Sequence, residues 1–175
     1  MPTFTWNDLT FVHIPKTGGT SITKWFTDNL GMKLPNGIQV HASSSNSANT
    51  FTVVRNPWDR VVSMYFFMQT HNKFFMMLRP TFEEFVKNPD KYPAPFMSPT
   101  KSEKSYVPNG VQYLLRFENL ENDFKVIQDL TGCHAPLPVT RTTKHDDYRT
   151  YYTDETRDII AERFKDDISD FNYTF

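Results

Sequence analysis

A chain of 175 residues with a formal net charge of -1 has room for one substantial core and no broad basic surface for nucleic acid. Hydrophobic residues at 38% and charged residues at 22% exclude a disordered chain, and a single cysteine, Cys133, excludes an intramolecular disulfide. The opening MPTFTWNDLT has neither the charged start nor the apolar run of a signal peptide or membrane anchor. The expectation is one domain over residues 1–175, soluble and cytoplasmic, with any anion site a local concentration of positive charge.

Along the chain, residues 10–14, Thr-Phe-Val-His-Ile, predict a short buried strand. From Thr20, the spacing of Ile22, Trp25, Phe26 and Leu30 predicts a helix closed by Gly31. Within the polar stretch 35–50, Ile38–His41 predicts a short strand. Phe51–Val54 is a clear strand closed by Arg55. Asn56 then serves as a cap, Pro57 fits the first helical position and Asp59 stands in the first turn, predicting a helix to about Thr70. Helical spacing makes the aromatic and methionine stretch 64–78 mostly core.

Thr81 and Glu84 stand in capping-box spacing. Pro89, Pro93, Pro95, Pro99 and Pro108 make 88–110 a loop or lid. Residues 111–117 predict a third strand, followed by a helix with Leu120, Phe124, Ile127 and Leu130 on one face and Thr131-Gly132 at its end. The last helix starts near Thr153 and buries Ile160, Phe164 and Ile168. Strands alternating with helices predict an α/β fold in three layers, a central parallel sheet flanked by helices, with ligands at the carboxyl ends of the strands.

That rule singles out two strand-to-helix junctions. In Lys16–Ser21, Gly18 and Gly19 let the backbone approach a ligand, and the free N–H groups of the helix start favour an anion. Lys16 adds a mobile charge, and Thr17, Thr20 and Ser21 add hydroxyls. The plainer alternative is a glycine-rich turn with a surface lysine. In the second junction, Arg55 ends a strand and Ser63 follows eight residues later, on the helix face of Asn56, Asp59 and Arg60. Arg55 can fork onto a second phosphate with Ser63 beside it. The alternative is an arginine paired with Asp59 at a capped helix start.

HIPKTGGTS (13–21) and VVRNPWDRVVSMY (53–65) resemble the phosphosulfate loop and the 3'-phosphate motif of sulfotransferases that use 3'-phosphoadenosine 5'-phosphosulfate (PAPS), most closely the carbohydrate-sulfotransferase branch. YLLRFENL (113–120) and the block from Asp147 to Phe175 look like further blocks of that family. The resemblance touches about half the chain, in the family's order, and implies a P-loop-like fold. Golgi members carry an anchor and stem ahead of the loop, so the chain resembles a stripped-down bacterial or viral version.

The resemblance implies that Lys16, Thr17, Gly18, Gly19, Thr20 and Ser21 hold the 5'-phosphosulfate, and that Arg55 and Ser63 hold the 3'-phosphate. By the same resemblance Thr143 and Lys144 would touch the 3'-phosphate or adenine; the alternative is a plain solvated turn. Lys16 would also stabilise charge on the leaving oxygen. His41 is the expected general base, in a place resembling that of the catalytic histidine in some polysaccharide O-sulfotransferases. His13 is expected to orient the loop, His71 and His134 to pack or face solvent, and His145 to lie in a segment closing over the nucleotide. Glu83 and Glu84 are read as helix-start charges and Glu118 as a structural contact. No metal is expected, since Cys133-His134 is an isolated pair. The expected partners are PAPS, yielding PAP, and a carbohydrate or other hydroxyl acceptor. The alternatives are a small nucleotide kinase, which lacks support because no G-x-x-x-x-G-K-[ST] string occurs, and a non-catalytic nucleotide-binding module.

Overall fold

A computed structural model describes residues 3–33, 49–92, 99–140 and 145–175. The predicted strand Ile38–His41, with His41 itself, lies outside the described residues, as do Thr143 and Lys144. Two compact units emerge, one of Met1–Val54 with Tyr106–Thr142, the other of Arg55–Ser105 with Thr143–Phe175. Together their elements make a mixed α/β fold, a central sheet of four mostly parallel strands flanked by helices.

The first unit holds the sheet, with strands β1 (Thr3–Trp6), β2 (Leu9–Val12), β3 (Asn49–Val54) and β4 (Tyr113–Arg116) in that spatial order. β2, β3 and β4 run parallel, whereas β1 pairs antiparallel with β2. The β1–β2 hairpin was not foreseen. Its turn is Asn7-Asp8, with Asn7 at φ 49°, a left-handed conformation that asparagine tolerates better than most residues. The period of two in the strands sends Phe4, Leu9, Phe11, Phe51, Val53 and Leu115 into one core. They meet Ile22, Trp25 and Phe26 of helix α1 (Gly19–Leu30), together with Phe124 and Ile127. The opposite face is rich in threonine: Thr5 and Thr10 hydroxyls lie 2.9 Å apart, and Thr52 Oγ1 donates to the Val12 carbonyl at 2.7 Å.

Gly31 closes α1 as predicted, at φ 64° with its N–H on the Phe26 carbonyl. The helix predicted after β4 is broken. It forms α5 (Leu120–Asp123) and α6 (Lys125–Thr131), with Gly132 closing the second at φ 68°. Phe124 sits at the break, its ring edge-on to Trp25 at 5.0 Å. The break takes Leu130 off the buried face, and it is 45% exposed.

The second unit is helical among its described residues. α2 (Pro57–His71) starts as predicted, with Asn56 Oδ1 accepting from the Trp58 N–H at 3.0 Å. α3 (Lys73–Leu78) and α4 (Phe82–Lys87) follow, and Thr81 and Glu84 form the expected capping box. α7 (Asp154–Arg163) begins at a second box between Thr153 and Thr156, and Phe164 separates it from α8 (Lys165–Asp170). Tyr65 anchors the core of this unit: its ring meets Phe75, Phe82 and Phe85 at 5.3–5.7 Å, and its hydroxyl donates to the Pro80 carbonyl. The stretch 64–78 is therefore core through Met64, Tyr65, Met68 and Phe75, while Phe74, Met76, Met77 and Leu78 are exposed. Among the described residues no helix is long and apolar enough to cross a membrane.

Phe26 is fully buried and lies edge-on to Phe4 at 4.9 Å. Phe26→Ala should lower the unfolding free energy by about 3–5 kcal/mol in urea titrations. Phe74→Ala, at an exposed site, should change it by less than about 0.5 kcal/mol.

Candidate functional site

The parallel register brings the carboxyl ends of β2, β3 and β4, at Val12, Val54 and Arg116, to one side of the sheet. Chain leaving β2 passes through the loop 13–18 into α1. Gly18 caps the helix at φ 86°, and Lys16 takes φ 70°, unusual for a residue with a side chain. Space is as restrictive as backbone angle. A Cβ on Gly18 would lie 2.9 Å from Leu120 Cδ2 and 3.3 Å from the Phe117 ring. A Cβ on Gly19 would lie 2.0 Å from His13 Cδ2, so the imidazole occupies the volume a side chain there would need. His13 in turn stacks on Phe11, with ring centres 5.7 Å apart. The imidazole is thus a wall of the loop.

The hydroxyls of this loop divide into different tasks. Thr17 is fully buried and its Oγ1 donates to the Ile14 carbonyl at 2.9 Å, tying the loop to itself. Ser21 Oγ accepts from the Thr140 N–H at 3.2 Å and lies 3.0 Å from Thr140 Oγ1. Thr20 and Lys16 are half-buried. Gly18 O accepts from Ser21 N at 3.0 Å, so the N–H groups of Gly19 and Thr20 precede the helical ladder and have no acceptor within the helix. No acidic side chain stands in the first turn of α1, and the positive end of its dipole faces the same place. Thr140 escaped the sequence because 119 residues separate it from Ser21.

The second junction belongs to the other unit. Arg55 is 6% exposed, and its Nε and Nη2 both reach Asp59 Oδ2 at 2.8 Å. A guanidinium carries five donors in a planar fork, so this pairing and a grip on a further anion are compatible. Ser63 is buried two turns into α2. Arg60, on the same helix, is directed elsewhere: its Nη2 donates to the Lys101 carbonyl at 3.0 Å and its Nε lies 3.5 Å from Glu103 Oε1. Glu103, fully buried, also accepts the Arg55 backbone N–H at 3.1 and 3.3 Å. Nothing local in the sequence marked Glu103, which sits in a proline-rich stretch read as a lid. The residues around it are pinned by Asp167 of α8, itself fully buried, which accepts from the backbone N–H groups of Glu103 and Lys104 at 2.8 Å.

The other described histidines, with Glu83 and Glu84, take part in local contacts. His71 stacks on Phe67 and is exposed, and His134 is exposed beside Asp129. His145 stacks on Phe66 at 5.7 Å. Glu83 pairs with Lys87, and Glu84 closes its capping box. Among the described residues no group of three or more His, Cys, Asp or Glu could hold a metal ion.

Compared with known proteins, the chain matches the model of the Sulfotransferase family over residues 5–174. No curated protein matches it. The family match begins in β1 and ends one residue before the C-terminus, taking in both the glycine loop ahead of α1 and the Arg55 junction after β3. A match of that extent shows that the chain belongs to the sulfotransferase family and is an enzyme of sulfuryl transfer.

Proposed function

We propose that the enzyme takes the sulfuryl group from PAPS and passes it to a hydroxyl of a carbohydrate, releasing PAP. The observation that carries this reading is the start of α1, where two glycines bring the backbone close against packed neighbours, the first N–H groups lack helical acceptors and no acidic side chain stands in the first turn. The 5'-phosphosulfate would lie there, against the backbone of Thr17, Gly18 and Gly19, with Thr20 and with Ser21 steadied by Thr140. The 3'-phosphate would take Arg55 and Ser63, with Thr143 and Lys144 contributing to it or to the adenine. The carbohydrate acceptor and a reducing, cytoplasmic setting belong to the same proposal; the first rests on the resemblance of the paired motifs, the second on the lone thiol Cys133.

In the proposed reaction the acceptor oxygen attacks sulfur as the bond from sulfur to the phosphate oxygen breaks. His41 takes the acceptor proton, and Lys16 neutralises the charge that grows on the leaving phosphate oxygen. Such a transfer depends on placement and charge compensation, with little covalent chemistry for the protein to perform.

Radiolabelled PAPS offered with a panel of glycans should yield labelled glycan, undiminished by EDTA. Lys16→Ala should slow this transfer by about a hundredfold or more. A strict magnesium requirement would point instead to phosphoryl transfer. Calorimetry should find PAP bound at least about tenfold more tightly than AMP, the effect of one charge-assisted contact, and Arg55→Ala should erase most of the difference. Equal affinities for PAP and AMP in the wild type would refute the 3'-phosphate assignment. His41→Ala should cost about 10²–10⁴-fold in turnover while PAP binding stays unchanged. Near wild-type turnover would move the base elsewhere.

A further inference from the structure

We infer that Glu103 is a positioning residue for the 3'-phosphate site, holding Arg55 from behind; the inference rests on the reading of Arg55 given above. Glu103 lies in a turn whose neighbours Lys101, Lys104 and Ser105 are exposed, yet its own side chain is fully buried. A buried carboxylate is costly unless it is paired and hydrogen-bonded. Here both conditions are met by residues of one junction. Its oxygens take the Arg55 N–H at 3.1 and 3.3 Å, and Arg60 supplies the opposite charge.

Arg55 N–H is a group that regular structure leaves over. The β3 ladder ends at Val54, and Arg55 precedes the residue that caps α2. Any acceptor would satisfy it. What Glu103 adds is a second fixed point. Asp59 grips the guanidinium from α2, and Glu103 grips the backbone of the same residue, so the arginine is restrained at both ends. The anchor is itself anchored, since Asp167 accepts the N–H groups of Glu103 and Lys104 and the hydroxyl of Ser102. Two restraints on one residue, at its backbone and at its guanidinium, matter most where a small misplacement of a charge costs much of its effect on a bound anion.

The test compares Glu103→Asp and Glu103→Gln with wild type and Arg55→Ala, by calorimetry with PAP and with AMP. Glu103→Asp keeps the charge that balances Arg60 and shortens the reach by one methylene. Glu103→Gln keeps the length and removes the charge. A positioning role predicts that the preference for PAP over AMP falls from more than about tenfold to within about threefold in both, while AMP affinity holds within about twofold. A residue that merely stabilises the fold would lower the melting temperature and leave that preference intact. A folded variant that keeps the wild-type preference, while Arg55→Ala loses it, overturns the role of Glu103 alone. Failure of both variants to fold also overturns it, because Glu103 is then an element of the fold first. A wild type that does not discriminate, or an Arg55→Ala that discriminates fully, removes the 3'-phosphate reading and this inference with it.

Discussion

Where a parallel strand ends and a helix begins, backbone N–H groups are left that neither element can satisfy. This constraint recurs at each junction of an α/β protein, and here the two junctions meet it in opposite ways. After β2, the first N–H groups of α1 have no acceptor in their own helix, no acidic side chain stands in the first turn, and two glycines leave room for the His13, Phe117 and Leu120 side chains packed against them. After β3, the Arg55 N–H is taken by a buried glutamate from a segment 48 residues away. One junction leaves N–H groups without a helical acceptor; the other is completed by a buried charged residue. Under the function proposed above, the first would take the 5'-phosphosulfate and the second would hold the arginine that meets the 3'-phosphate.

The glycine loop is fixed by packing as much as by backbone freedom. Gly18 needs its left-handed φ, but Gly19 does not appear among the residues at positive φ. Gly19 is required because the His13 ring fills the place of a Cβ, and that ring is held by stacking on Phe11 of the core strand. The apolar core thus reaches the loop through one imidazole. Phe117 and Leu120, which follow β4, close the other side against Gly18. The residues packed around this loop come from β2, from the chain after β4 and from the loop itself, so the sheet register brings them together.

The Arg55 junction draws on helices rather than strands. Arg55, Asp59, Arg60, Glu103 and Asp167 are charged side chains that are largely or fully buried within one unit. Their charges are compensated by ion pairs and by backbone N–H groups, which is the condition under which burial of such groups is tolerated. Arg60 shows how finely residue type and role separate. It lies on the same helix as Arg55 and Ser63, yet its guanidinium is committed to the Lys101 carbonyl and to Glu103.

The sequence by itself determined the local features. Gly31 and Gly132 end helices, Asn56 and Pro57 start one, and Thr81 with Glu84 closes a capping box, because each of these depends on residues within a turn of one another. The buried strands, the alternation with helices and the two junction motifs were legible for the same reason, as short apolar runs beside short functional strings. Tertiary structure alone decided the rest. It added β1, whose pairing needs a partner strand, and broke two predicted helices at Phe124 and Phe164, where large rings turn into the core. It exposed Leu130 and most of α3 despite their helical spacing. It joined Ser21 to Thr140, Arg55 to Glu103 and Glu103 to Asp167 across 119, 48 and 64 residues. A hydrogen bond between distant residues leaves no periodicity in the chain, since its geometry exists only once the sheet register and the helix packing have brought the two groups together.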